Sequence, residues 1–153
     1  MNENFEKALA FCLRWEGFIS DDAHDKGSLT IYGISKRSHP EAVEEMYQLI
    51  LNGNKKDEAF QIAKKIYYEN YWVKSGCENM EFPLDIINFD TAVNMGRSKA
   101  QELLEKSKGD WKDYLLERLY TYSKFEQAKL YFRGWANRVL SLYELVKEEE
   151  NEG

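Results

Sequence analysis

A mainly α-helical single domain with one small β-hairpin is predicted for this chain on three observations. Apolar residues recur at helical spacing through most of its length. Glycine and proline are scarce, nine and two among 153 residues, which leaves little room for a turn-rich β fold. One stretch, residues 17–36, breaks the helical pattern with Asp, Gly and Ser around a short β-branched and aromatic run. A chain this long forms one domain and buries roughly two thirds of its unfolded surface. With 43% hydrophobic, 14% aromatic and 31% charged residues, it has the composition of a globular protein, not of a disordered one.

The elements follow in order. Residues 3–16 form an amphipathic helix, with Phe5, Leu9, Cys12 and Leu13 on one face and Gly17 as its stop. Residues 17–36 are a loop and hairpin, the strand signal running from Leu29 to Tyr32. Ser38 or His39 caps the next helix and Pro40 takes its first turn. Glu41, Glu44 and Glu45 lie toward its positive end, and it stops near Asn52-Gly53. A further helix spans about Lys55 to Trp72, with Ala59, Ile62, Ala63, Ile66 and Tyr67 as its apolar stripe. After a loop over 73–82, Pro83 opens a helix that is apolar nearly all round and ends at Gly96; it is expected to be the central buried one. A short helix covers Ser98 to Lys106. Asp110 caps another that runs to about Lys129, and the last extends from Arg133 or Gly134 to about Lys147, with a frayed Glu-rich tail.

Several function classes are disfavoured. A formal net charge of -6 runs against a nucleic-acid protein and gives no electrostatic pull toward anionic surfaces. Cys12 and Cys77 lack metal-ligand spacing, and the two histidines, His24 and His39, do not cluster. No metal and no cofactor is expected, and Cys12 reads as a buried free thiol. The N-terminus has no basic segment followed by an apolar core, so it does not read as a signal peptide. No stretch approaches the length of a membrane span. The chain is expected to be made in the cytoplasm, to act as a monomer, and to reach any external substrate through a holin, another export route or lysis.

The chemistry gathers at the end of the first helix. Phe5, Leu9, Cys12 and Glu16 step by four, three and four, so the Glu16 carboxylate points where the core residues point. Partial desolvation and the negative helix end would both raise its pKa, as the general acid of a glycosidase requires. The plain alternative is a helix-end carboxylate that reaches solvent or pairs with Arg14. Asp25 lies nine positions on, and Thr30 five after that. A second carboxylate across a scissile bond, with room for water, is what an inverting glycosidase needs, and a threonine hydroxyl both donates to and accepts from such a water. A turn-forming Asp and an ordinary strand Thr are the alternatives.

The run Glu16-Gly17-Phe18, then Asp25-Lys26-Gly27-Ser28-Leu29-Thr30-Ile31-Tyr32-Gly33-Ile34, resembles the signature of the family 108 glycoside hydrolases, muramidases of phages and of bacterial secretion systems. Their pattern reads Glu-Gly-Gly, then Asp-Pro-Gly-Gly-x-Thr-x-Tyr-Gly-Ile. The spacing is also similar to the Glu, Asp, Thr arrangement of phage-type lysozymes. Tyr71-Trp72 and Asn88 to Gly96 resemble the start of the family's peptidoglycan-binding segment, and Phe132 to Val139 its closing helix, so the likeness extends over about residues 5–145. This chain departs at Phe18, Lys26 and Ser28, which stand for Gly, Pro and Gly.

The resemblance implies a lysozyme-like domain over 1–153, catalytic over about 1–82 and glycan-binding over about 83–147, with the hairpin as one wall of a cleft. It places the catalytic acid at Glu16 and the loop Asp and Thr at Asp25 and Thr30. It implies peptidoglycan glycan strands as the substrate, cleaved between N-acetylmuramic acid and N-acetylglucosamine. Asp90 and Asn94, one helical turn apart, read either as a buried polar pair or as groups facing the glycan. Tyr32 and Trp72 are the aromatic residues taken as sugar-stacking candidates. Arg138 would pair with a buried carboxylate or with a wall peptide. A lytic transglycosylase using Glu16 alone is the first alternative, and a non-catalytic glycan-binding or secretion-accessory module is the second.

Overall fold

The computed structural model describes residues 2–21 and 29–152. The protein is mostly helical, with a small three-stranded antiparallel sheet. The elements are α1 (Glu3–Glu16), β1 (Ile19–Asp21), β2 (Leu29–Ile31), β3 (Ile34–Ser35), α2 (Pro40–Gly53), α3 (Lys56–Ile66), α4 (Leu84–Met95), α5 (Arg97–Ser107), α6 (Trp111–Ser123) and α7 (Ala128–Glu152). A π-helical segment, Tyr67–Val73, follows α3, and a 3-10 turn occupies Cys77–Asn79. The chain resolves into two compact units, Leu9–Asn70 and a second made of Met1–Ala8 with Tyr71–Gly153.

In the unit Leu9–Asn70, α1 stops where expected. Gly17 takes φ +78 and its N–H returns to the Leu13 carbonyl at 3.1 Å, a left-handed residue closing a helix where no Cβ penalty applies. The hairpin gains a third strand, because β1 pairs with β2 in addition to the β2–β3 hairpin. Ile31 and Ile34 are directly paired and both buried, so the two-residue period puts the Thr30 row on the opposite face. α2 packs on α3 and on the sheet through buried Val43 and Met46. It ends at Gly53, within the expected Asn-Gly, and Asn54 caps it at φ 50 with its N–H on the Leu49 carbonyl. The helix expected to reach Trp72 keeps α geometry only to Ile66 and then widens into the π segment.

In the other unit, α4 is the buried helix that its all-round apolar pattern predicts, with every residue from Asp85 to Ala92 buried. It packs on α5 and α6, and α7 folds back along α6. Asp110 caps α6, its carboxylate accepting from the Asp113 N–H at 2.9 Å, which satisfies a first-turn donor. α6 ends at Ser123, earlier than the expected Lys129, and α7 begins earlier too, at Ala128. No Gly or Pro marks that break. The turn instead carries an aromatic cluster, in which Trp135 stacks on Tyr122 at 4.9 Å and meets Phe125 edge-on at 6.0 Å. Gly134, read as a helix start, lies inside α7. The Glu-rich tail, expected to fray, stays helical to Glu152, and Glu149 is held by Lys7 at 3.0 Å. Among the described residues no helix is long and apolar enough to cross a membrane.

Candidate active site

Glu16 is the last residue of α1 and is half-buried. It is packed against the turn between β2 and β3, formed by Tyr32 and Gly33 at φ 51 and 79. Two successive positive φ values give the mirror-image two-residue turn whose twist suits a hairpin. Gly33 has no side chain for a second reason. A Cβ there would lie 2.5 Å from the Tyr67 hydroxyl, 2.7 Å from Glu16 Cβ and 3.0 Å from Glu16 Cγ. The acid side chain and the Tyr67 hydroxyl therefore converge on one glycine. Tyr67 is buried, and its hydroxyl donates to the Tyr32 carbonyl at 2.6 Å, pinning the turn from below.

Gly33→Ala meets both obstacles. The left-handed backbone costs an L residue about 1–2 kcal/mol, and overpacking adds roughly 1–3 kcal/mol. We expect a lower urea midpoint together with a loss of activity beyond what the unfolded fraction explains, because the added methyl must displace Glu16 or Tyr67. Turnover that stays at the wild-type level in the folded protein would show that Glu16 is not held by this contact.

Thr30 lies opposite Ser20 on β1 and Ser35 on β3. Directly paired residues share a face, so three hydroxyl side chains form a row across the sheet, away from the Ile31–Ile34 face. Ser35 is also committed locally, its Oγ accepting from the Ser38 N–H at 3.2 Å. Asp25 lies outside the described residues.

Tyr32 is half-buried and flanked by Phe18 at 4.8 Å and Phe60 at 5.4 Å, and its hydroxyl donates to the Lys56 carbonyl at 3.3 Å. Phe18, the departure from the family pattern, thus packs on the turn residue, and Lys56 sits 5.1 Å over its ring. Tyr32 serves the turn before it serves any ligand.

Three other expectations change. Trp72 is fully buried, its ring set edge-on to Phe5 at 5.5 Å and to Phe89 at 5.7 Å. It is a core residue and presents no face to a sugar. Asp90 is likewise fully buried, at 2.9 Å from Arg118 and 2.8 Å from Arg138, so it takes the buried ion-pair role and not the glycan-facing one. Burial alone would push its pKa up, but the two arginines hold it below the ordinary carboxylate range. Asn94 ends the same network: Arg118 donates to the Tyr122 hydroxyl at 3.1 Å, and that hydroxyl donates to the Asn94 side-chain oxygen. Arg138 has the buried carboxylate that it was expected to seek.

Sequence reading missed Tyr67, Ser20 and Ser35. Tyr67 belongs to an apolar stripe, and nothing in that stripe announces a partner 35 residues away. For Ser20 and Ser35 the strand register was the missing information. Cys12 and Cys77 are both buried and neither forms a disulfide, and burial pushes the Cys77 thiol up to about 12, so at neutral pH Cys77 offers no thiolate nucleophile.

A carboxyl half-buried at a helix end against a turn is a group that can exchange a proton with a bound substrate. The comparisons lead to a class that uses such a group, the glycoside hydrolases. The family described as Glycosyl hydrolase 108 matches residues 9–96, more than half of the chain, and the chain belongs to this family. In fold it is similar to the structure of Brucella abortus SagA, with a TM-score of 0.75 at 20% identity over 94% of each chain. No curated protein sequence matches it.

Proposed function

We propose that this chain hydrolyses the β-1,4 bond between N-acetylmuramic acid and N-acetylglucosamine in peptidoglycan. The observation that carries the reading is the seat of Glu16, a half-buried carboxyl wedged against Gly33 within the stretch that matches the hydrolase family. Glu16 gives its proton to the leaving oxygen as the glycosidic bond breaks. Asp25 takes a proton from a water that attacks the sugar from the opposite face, and the Thr30 hydroxyl holds that water. Such a division between acid and base is the inverting arrangement. The β2–β3 hairpin would form one wall of the glycan site, and the chain would act as a monomer on cell-wall material after leaving the cytoplasm.

The test is digestion of purified peptidoglycan with mass analysis of the fragments. Reducing muramic acid ends are expected. Anhydro-muramic ends would replace hydrolysis by transglycosylation, and intact glycan with bound protein would reduce the chain to a binding module. In the same digestion Asp25→Asn is expected to lose most of kcat while still binding the wall; an unchanged kcat would remove Asp25 from the mechanism.

A further inference from the structure

Two unfavourable local conformations in the unit Leu9–Asn70 meet at one hydrogen bond. Tyr32 holds φ 51, where an L residue crowds its own Cβ against the backbone and a bulky side chain is out of place. Tyr67 stands where α3 gives way to the π segment. Its backbone N–H is shared between the Ala63 and Lys64 carbonyls, and the wider turn starts with it. Segments of this kind are rare and recur at functional sites. The bond that joins the two runs from the Tyr67 hydroxyl to the Tyr32 carbonyl at 2.6 Å. Sparsely populated conformations persist only where their surroundings over-determine them, and they gather at active sites. Here the Tyr32 ring is held by Phe18 and Phe60, and its carbonyl by Tyr67.

The same bond lies against Glu16. The Tyr67 hydroxyl is 2.5 Å, and Glu16 Cγ 3.0 Å, from the place a Cβ of residue 33 would take. The two are therefore neighbours across Gly33, which has no side chain to part them. A hydroxyl has one proton to give, and this one gives it to Tyr32. That donation fixes the oxygen, and the Tyr67 side chain is only 1% exposed, so the surface on which the Glu16 side chain rests is held in place. A glutamate side chain otherwise keeps much rotamer freedom. An acid that must meet one oxygen of a substrate needs that freedom removed beforehand.

We propose that Tyr67 is a positioning residue for the acid: its hydroxyl, anchored on the Tyr32 carbonyl, fixes the Glu16 side chain so that the carboxyl meets the leaving oxygen of the glycan. The proposal rests on the reading of Glu16 as the general acid of a hydrolase. The proton passes from the Glu16 carboxyl to the leaving oxygen as the glycosidic C–O bond breaks, and Tyr67 exchanges none. Without the hydroxyl, the Tyr32 carbonyl loses its donor and a gap opens beside Glu16 Cγ. The carboxyl then gains orientations from which it cannot reach the leaving oxygen.

Tyr67→Phe keeps the buried ring and removes the hydroxyl alone. The full chain is assayed on two aryl β-glycosides of a glycan fragment that ends in N-acetylmuramic acid, one releasing phenol and the other dinitrophenol, with rates normalised to folded protein. Phenoxide leaves only with a proton supplied, and dinitrophenoxide leaves largely without one. Tyr67→Phe is expected to lower kcat on the phenyl glycoside roughly tenfold to a hundredfold, with KM unchanged, and to leave kcat on the dinitrophenyl glycoside near wild type. A merely structural role would lower both alike. Equal losses, or none, beside an active wild type would overturn the proposal and leave the hydrolase reading intact. A wild type that cleaves neither glycoside nor peptidoglycan would sink the hydrolase reading, and the proposal with it. An aryl amine still donates to the Tyr32 carbonyl, so Tyr67→4-aminophenylalanine is expected to recover the phenyl glycoside rate, and it decides the matter should Tyr67→Phe fail to fold. A folded chain of that kind that still loses the phenyl glycoside rate would overturn the proposal.

Discussion

Glu16→Gln is expected to lower turnover on peptidoglycan by about 10²–10⁴-fold, the range that a positioned general acid supplies. Glutamine has the same shape and volume, so the contact with Gly33 persists. What it lacks is a proton it can deliver to an alkoxide leaving group. The substitution therefore separates chemistry from structure: the urea midpoint should stay close to wild type while turnover collapses, and the variant should still bind wall material. The measurement is the initial rate of fragment release, normalised to folded protein. Residual turnover above a few per cent of wild type would take the acid role away from Glu16 and reopen the search among carboxylates elsewhere.

The largest stability effect is expected at Asp90. It is a single carboxylate between two buried guanidinium groups, Arg118 at 2.9 Å and Arg138 at 2.8 Å. Removing it leaves two positive charges facing each other with no counter-charge in a dry interior. Breaking a buried pair in this way costs about 3–5 kcal/mol, a large share of the roughly 5–15 kcal/mol that holds a typical protein folded. Asp90→Ala should show this in urea unfolding, and Asp90→Asn nearly as much, since an amide restores hydrogen bonds but not charge. The pH dependence has a definite sign. Because the folded-state pKa of Asp90 lies below its unfolded value, its stabilisation is fully present above the unfolded pKa of about 3.9 and is lost as pH falls through the folded value. The stability gap between wild type and Asp90→Asn should thus be flat near neutrality and narrow in acid. A gap that widened in acid would mean that Asp90 is not the ionised centre of the cluster.

These two acids show what could and could not be read from the residue order. The half-buried placement of Glu16 was legible because its neighbours on α1 fix which way the helix faces, and it lies in line with Phe5, Leu9 and Cys12. α4 was legible because Ile86, Ile87, Phe89, Ala92 and Val93 spread around the helix and leave no face without an apolar residue, and the residues from Asp85 to Ala92 are indeed buried. Asp90 was recognisable as unusual, but its partners lie 28 and 48 positions away, on α6 and α7, and only the packing of those helices selects the ion-pair role over the glycan-facing one. Trp72 misled for the same reason: an indole suits a sugar and a core equally well, and its burial against Phe5 and Phe89 depends on α1 and α4 together. The α6–α7 break eluded composition because an aromatic cluster makes it and no helix breaker does. Gly33 lay in a matched motif, yet its close approach to both Glu16 and Tyr67 is a three-dimensional fact with no local signal.

The two cysteines give the folded chain a pair of built-in clocks. Cys12 lies in the unit Leu9–Asn70 and Cys77 in the other, and both are sealed from solvent. A thiol at about 12 holds almost no thiolate at neutral pH, so an alkylating reagent must wait for Cys77 to be uncovered. The rates at which the two sulfurs are modified then report how often each unit opens. Equal rates would reveal one cooperative breathing event, and unequal rates would rank the two units by their own opening free energies, with no engineered probe in either.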